Sequence, residues 1–103
     1  MNAYYAGKHW ALRKKDADFW HWLTLAAMNA QEIRRTPFNL PVAVTFYWND
    51  RLDIDNHAIM GKMIVDAMKG RVIEDDDRRW LKSVSHNFHD EDYIQVEIRE
   101  VRP

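Results

Sequence analysis

Between Asp16 and Arg35, apolar residues recur at three- and four-residue steps: Phe19, Trp22, Leu23, Ala26, Ala27 and Ala30. That period describes one face of an α-helix. Asp16 fits an N-cap, Asp18 favours the positive start of the helix, and Arg34 and Arg35 favour its negative end. Thr36-Pro37 supplies a stop, because the residue before proline is pushed out of the helical region. Trp20 and Leu25 lie off this stripe and point to a second covered face, such as one against a partner subunit.

From Leu40 to Trp48 the period changes to two. Val42, Val44, Phe46 and Trp48 alternate with Ala43, Thr45 and Tyr47. Both sets are largely apolar, which predicts a central strand buried on both sides. Asn56–Lys69 reads as a second helix, with Met60, Ile64, Ala67 and Met68 as its stripe, Ile59 and Met63 flanking, and Gly70 as its stop. Gly61 costs about 1 kcal/mol against alanine inside a helix and marks the close approach of another backbone or of DNA. After a short extended Val72-Ile73, two alternating stretches follow, Arg79–His89 and Tyr93–Val101. The turn His89-Asp90-Glu91-Asp92 predicts that they pair as an antiparallel hairpin. The order is arm, helix, strand, helix, strand, strand. The expected class is α/β (α+β), a small mixed sheet with two main helices packed on it.

Residues 1–103 are the length of a single domain with one modest core. Burial in so small a domain is incomplete, and a dimer is a reasonable way to hide more surface. There is no cysteine, which excludes a disulfide framework and a thiolate metal site. No run is apolar enough to span a bilayer and no signal segment opens the chain, so the expectation is a cytoplasmic protein with no membrane partner. The net charge of −1 hides an asymmetry. Residues 1–35 carry Lys8, Arg13, Lys14, Lys15, Arg34 and Arg35 against Asp16, Asp18 and Glu32. Residues 49–77 carry eight acids against Arg51, Lys62, Lys69 and Arg71. A basic arm suits a polyanion and an acidic centre suits a cation, although both also occur as solvated surface. In residues 1–15, read as a loop or arm, Tyr4, Tyr5, His9 and Trp10 can stack on bases while Lys8, Arg13, Lys14 and Lys15 meet phosphates. The same aromatics can equally pack on the core.

The acidic centre has internal order. In an extended segment Asp53 and Asp55 point the same way, so two carboxylates can approach one cation. A calcium loop is excluded, because counting from Asp53 the sixth position is Ala58 rather than glycine and the twelfth is Ile64 rather than glutamate. A third carboxylate from Glu74-Asp75-Asp76-Asp77 would complete a hard oxygen pocket suited to Mg²⁺ or Mn²⁺. Asp55, Lys62 and Asp66 are seven and four residues apart and share a helix face. Lys62 can thus meet a phosphate held near the acids. The same spacing also makes an ordinary surface pair with Asp66, worth about 0.2–0.5 kcal/mol.

At these residues the chain resembles the RusA-type Holliday junction resolvases, small dimeric endonucleases common in phages and prophages. The shared pattern is Asp53-Ile54-Asp55-Asn56, then Lys62 and Asp66 four apart on a helix, then Ile73-Glu74-Asp75-Asp76; Asn2 and Tyr4-Tyr5 resemble the family's N-terminal segment. The resemblance implies a Mg²⁺-dependent endodeoxyribonuclease that resolves four-way DNA junctions as a homodimer in a bacterial cytoplasm. It assigns metal ligation to Asp53, Asp55 and Asp76, with Asp75 as alternate, and a catalytic role to Lys62. Lys8, His9, Arg13, Lys14, Lys15, Arg78 and Arg79 are expected to bind DNA. The pattern departs from the family in three places. Lys62 lies one helical turn further from Asp55, Asp77 is an extra acid, and the family's first strand is expected to be absent or replaced. The basic residue often found on the strand after the acidic pair falls at His86 or Lys82.

Overall fold

The computed structural model describes the backbone of residues 10–51 and 54–102 and the side chains of 15–51 and 57–102. Five elements follow in order: α1 (Trp10–Ala30), β1 (Val42–Trp48), α2 (Ile54–Met68), β2 (Leu81–Phe88) and β3 (Gln95–Glu100). They make a mixed α/β domain with a three-stranded sheet and two helices, in the expected order.

The strand order is β2-β1-β3, with β2 parallel and β3 antiparallel to β1. The expected hairpin of the last two strands is therefore not formed. β1 lies between them, and β1-α2-β2 is a parallel crossover unit. The cause is visible in β1 itself. Its Val42, Ala43, Val44, Phe46 and Trp48 are all buried, and Thr45 and Tyr47 half-buried. A hairpin of β2 with β3 would leave this most apolar strand with an open edge.

Register sets the faces. Val44, Phe46 and Trp48 stand opposite Val84, His86 and Phe88 on one side, with Val44 and Phe46 opposite Ile98 and Val96 on the other. Thr45 and Tyr47 share the opposite face with Ser85, Asn87, Glu97 and Gln95, which is polar. α2 delivers Met60, Met63, Ile64, Val65, Ala67 and Met68 to the core, as its period requires.

α1 departs from expectation at both ends and in its facing. It begins at Trp10, so residues 10–15 are helical rather than part of an arm, and Asp16 lies inside the helix rather than capping it. It ends well before Thr36-Pro37. Ile33 N–H donates to Met28 O at 2.9 Å and Glu32 N–H to Asn29 O at 3.2 Å. Glu32 takes φ of 53° between them. This is the two-bond helix stop that usually carries glycine, and Met28 and Ile33 both pack on the core there. Arg34 and Arg35 thus lie beyond the helix. Met28 is buried with Trp20 and Leu25 packed beside it, while Phe19, Trp22 and Leu23 are exposed. The stripe read from the sequence is split: Phe19 and Trp22 are exposed, while Leu23 and Ala27 line an open cavity with Met28, Ile64, Met68 and Val96. Arg71 fastens the end of α1 to the end of α2: Nη1 donates to Asn29 Oδ1 at 2.7 Å and Nη2 to Ile33 O at 2.8 Å.

Gly70 ends α2 with φ of 83°, the left-handed conformation its sequence position suggests. Gly61 is tight against side chains, not against another backbone. A Cβ there would stand 2.9 Å from His86 Cε1 and 3.1 Å from a ring carbon of Phe46.

Candidate metal and nucleic-acid site

The acidic run is a turn in which each aspartate has a separate task. Asp77 faces backward onto its own turn. Its Oδ2 accepts Arg79 Nη2 at 2.8 Å, and its Oδ1 accepts the Arg79 N–H at 2.9 Å. Its carbonyl accepts the N–H groups of Trp80 and Leu81, which launches β2. The Arg79 hydrogen bond holds the Asp77 carboxyl below the usual range and raises the guanidinium in return. Asp75 Oδ1 accepts the Asp76 N–H at 2.8 Å. Asp76 turns toward α2.

There it meets the lysines. Lys62 Nζ lies 3.6 Å from Asp76 Oδ2 and 3.6 Å from Asp66 Oδ1. Lys69 Nζ lies 3.7 Å and 3.4 Å from the same two atoms. Two carboxylates and two ammonium groups form a closed quartet on one exposed face of α2. Partial burial works against an ionised Asp76, but its hydrogen-bonding neighbour Asp75 and the charges of Lys69 and Lys62 outweigh it, and its pKa is lowered. For Lys69 slight desolvation is outweighed by Asp66 and Asp76, and its pKa is raised. The contacts are open to solvent, so each is weak and weakens further with salt.

The structure therefore brings Lys62, Asp66 and Asp76 together. Asp53 lies outside the described residues. Asp55 sits on the backbone of the first turn of α2, with its side chain outside the described set. An ideal helix puts it about 10 Å along the axis from Lys62, on the side away from Lys69. No group of three His, Asp or Glu side chains among the described residues is arranged to hold a metal ion.

The basic residues are spread. Lys8 and His9 lie outside the described residues, Arg13 and Lys14 are placed by backbone only on α1, and Lys15 is exposed there. Arg78 is exposed beside the acidic turn, whereas Arg79 is engaged by Asp77. Lys82 is exposed on β2. His86 lies inward and stacks on Phe46 with ring centroids 5.3 Å apart, and its Nδ1 accepts Trp48 Nε1–H at 3.1 Å. Burial, and then His57, lower its pKa, so near neutral pH it carries no positive charge to a phosphate.

Two residues were missed in the sequence. His57, fully buried in the first turns of α2, places Nε2 2.7 Å from Asp50 Oδ1. The signal was present: His57, Gly61, Ile64 and Met68 follow one helix face, so a histidine stood on an apolar stripe. Lys69 was the other, seven residues from Lys62 and three from Asp66. No helix among the described residues is long and apolar enough to cross a membrane. Set against known proteins, the chain matches no family model, no curated protein and no solved structure.

Proposed function

We propose that this chain is a divalent-metal-dependent endodeoxyribonuclease that cuts branched DNA, four-way junctions above all, as the resolvases it resembles do. The observation that carries the reading is the meeting of Lys62 with Asp76. They come from a helix and from the turn ahead of β2, and share one open face with Asp66. The donors proposed for the ion, Asp53, Asp55 and Asp76, are all carboxylates. Hard oxygen donors without thiolate or imidazole suit Mg²⁺ or Mn²⁺. Such an ion, when bound, polarises a phosphate and lowers the pKa of a water.

The chain's own residues do the rest. Asp76 is kept ionised by its surroundings and is ready to act as a ligand. Lys62 carries a positive charge on an exposed stem beside it, where it can meet a phosphate oxygen. Arg78 and Lys15 are exposed and suited to backbone phosphates, with Lys8, His9, Arg13 and Lys14 extending the basic surface. Arg79 shapes the turn through Asp77 before it meets any DNA. A homodimer would cover Phe19, Trp22 and Leu23 on α1 and give two sites for two strands. The test is incubation with a synthetic four-way junction beside linear duplex, with and without Mg²⁺. Cleavage of the junction that needs metal and disappears in Asp53→Asn is expected.

One observation favours a second reading. Asp66 and Asp76 are already matched by Lys62 and Lys69. A quartet neutralised in this way fits a DNA-binding module that keeps the fold without turnover. Wild-type protein that binds the junction but leaves it whole in both Mg²⁺ and Mn²⁺ would establish that reading.

A further inference from the structure

α1 packs on α2 through Trp20, Leu25 and Met28. A second apolar stripe runs beside that contact. Phe19, Leu23, Ala26 and Ala30 are four, three and four residues apart, the spacing of a seam between two paired helices. Phe19 is 54% exposed, Leu23 37%, and Trp22 on the flank of the stripe 65%. Ala27 and Ala30 are exposed as well. Leu23 and Ala27 also line an open cavity of about 690 Å³ that reaches Val96 and Ile98 of β3, with Tyr93 beside them.

The stripe is lopsided. Its N-terminal half carries the large side chains of Phe19, Trp22 and Leu23, and its C-terminal half carries Ala26, Ala27 and Ala30. A copy of α1 laid over it in the same direction would set Phe19 against Phe19 and leave the alanines facing one another. A copy laid antiparallel sets large against small. Phe19 then meets Ala30, Leu23 meets Ala26, and Trp22 comes level with Ala27 at the cavity. All three pairs share one midpoint, between Thr24 and Leu25, as a twofold axis requires. A stripe whose two halves complete each other calls for no other protein.

We propose that this face of α1 is the interface with a second copy of the chain, the two helices crossing antiparallel about a twofold axis at Thr24–Leu25, with Trp22 of each copy closing the cavity of the other. The proposal rests on the nuclease reading for the need of two copies, and on the described face of α1 for everything else. An aromatic side chain buries about 150–250 Å² when fully covered, so the uncovered parts of Phe19 and Trp22 offer roughly 200–300 Å² per copy. A stable interface takes about 800 Å² per partner. Leu23, the alanines and the half-exposed Tyr93 at the cavity have to supply the remainder, so the dimer is weak and concentration-dependent.

The test is sedimentation velocity from micromolar to submillimolar concentration, without DNA or metal. Wild type should shift from monomer to dimer. Ala30→Glu sets a carboxylate against Phe19 of the other copy and should weaken association by at least about tenfold. Its melting temperature in dilute solution should change little, because Ala30 is exposed at the end of α1. Orientation is read by oxidation of introduced thiols, which report cleanly because the chain has no cysteine. Mixed at concentrations where the dimer forms, Phe19→Cys and Ala30→Cys should crosslink to each other in preference to themselves. Monomer at every concentration, a dimer indifferent to Ala30→Glu, or crosslinking of each variant mainly with itself would overturn the proposal. Junction cutting is measured separately: a monomer that cuts junctions sinks the interface alone, and a dimer of this kind that cuts nothing leaves the interface standing.

Discussion

Replacing Gly61 with alanine sets two physical effects against each other. Alanine gains about 1 kcal/mol over glycine in an ordinary helix interior. Here the added Cβ would stand 2.9 Å from His86 Cε1 and 3.1 and 3.3 Å from two ring carbons of Phe46. Overpacking of this kind typically costs about 1–3 kcal/mol. His86 cannot swing aside freely, because it is stacked on Phe46 and its Nδ1 is held by Trp48 Nε1–H at 3.1 Å. Displacing it also weakens a hydrogen bond worth about 1 kcal/mol net. The clash wins, and Gly61→Ala should lose about 1–2 kcal/mol, a fall in melting temperature of roughly 4–15 °C for a domain of this size. Urea unfolding followed by tryptophan fluorescence measures the loss. The decisive comparison uses His86→Ala as background. With the imidazole gone the closest contact disappears, and alanine at 61 should become neutral or stabilising by up to about 1 kcal/mol. A Gly61→Ala loss of the same size in both backgrounds, or a gain in the wild type, would refute the reasoning.

Three further outcomes follow from the same geometry. Arg71→Ala removes the donors that join α1's end to α2's end, and should cost about 1–3 kcal/mol in denaturant unfolding. His86 has its pKa lowered in the folded chain by burial and then by His57, so its stabilising effect is complete above its unfolded pKa and is lost as pH falls from there toward the folded value. Wild type should therefore lose stability as pH falls below about 6.5, and His86→Gln should flatten that part of the profile, read by melting temperature against pH. Trp22, exposed on the outer face of α1, should tolerate Trp22→Glu with a stability change within about 0.5 kcal/mol, while sedimentation velocity shows any wild-type dimer shifting toward monomer.

Strand and helix identity were legible because period alone decides them, and β1's two apolar faces correctly marked it as central. Partner choice among strands was not legible from alternation. The segments around Val84 and Val96 each alternate cleanly, and a short turn between them suggested a hairpin. What overruled it was a demand from a third strand, since an edge position for Trp48 and Phe46 would expose the two largest buried side chains of the core. α1 failed for a related reason. It is apolar on nearly every side, so the stripe with the best spacing was not the stripe with a neighbour. Met28 is buried, and Trp20 and Leu25 half-buried, because α2 is there, and nothing in α1's own sequence says where α2 lies. The helix stop at Glu32 was hidden because a glutamate took a left-handed position that sequence rules reserve for glycine or asparagine.

The acidic turn illustrates why a run of like residues resists reading even when its neighbours are read well. Glu74 to Asp77 offer four carboxylates of the same chemistry, and spacing cannot say which of them turns toward α2. The chain decides through backbone demands. Asp77 is claimed by Arg79 and by the launch of β2, Asp75 by the next amide, and this leaves Asp76 to cross to Lys62 and Lys69. The identity of the α2-facing carboxylate is thus a by-product of how a strand is started. On the metal-site reading proposed above, the same logic bears on function. A cation arriving at Asp76 has to displace ammonium groups 3.6 and 3.7 Å away, so its affinity there depends on how weakly those exposed lysines hold. Exposed pairs hold weakly. A quartet of this kind favours the charged form of Asp76 without committing it, which is the condition a metal ligand needs before its metal is bound.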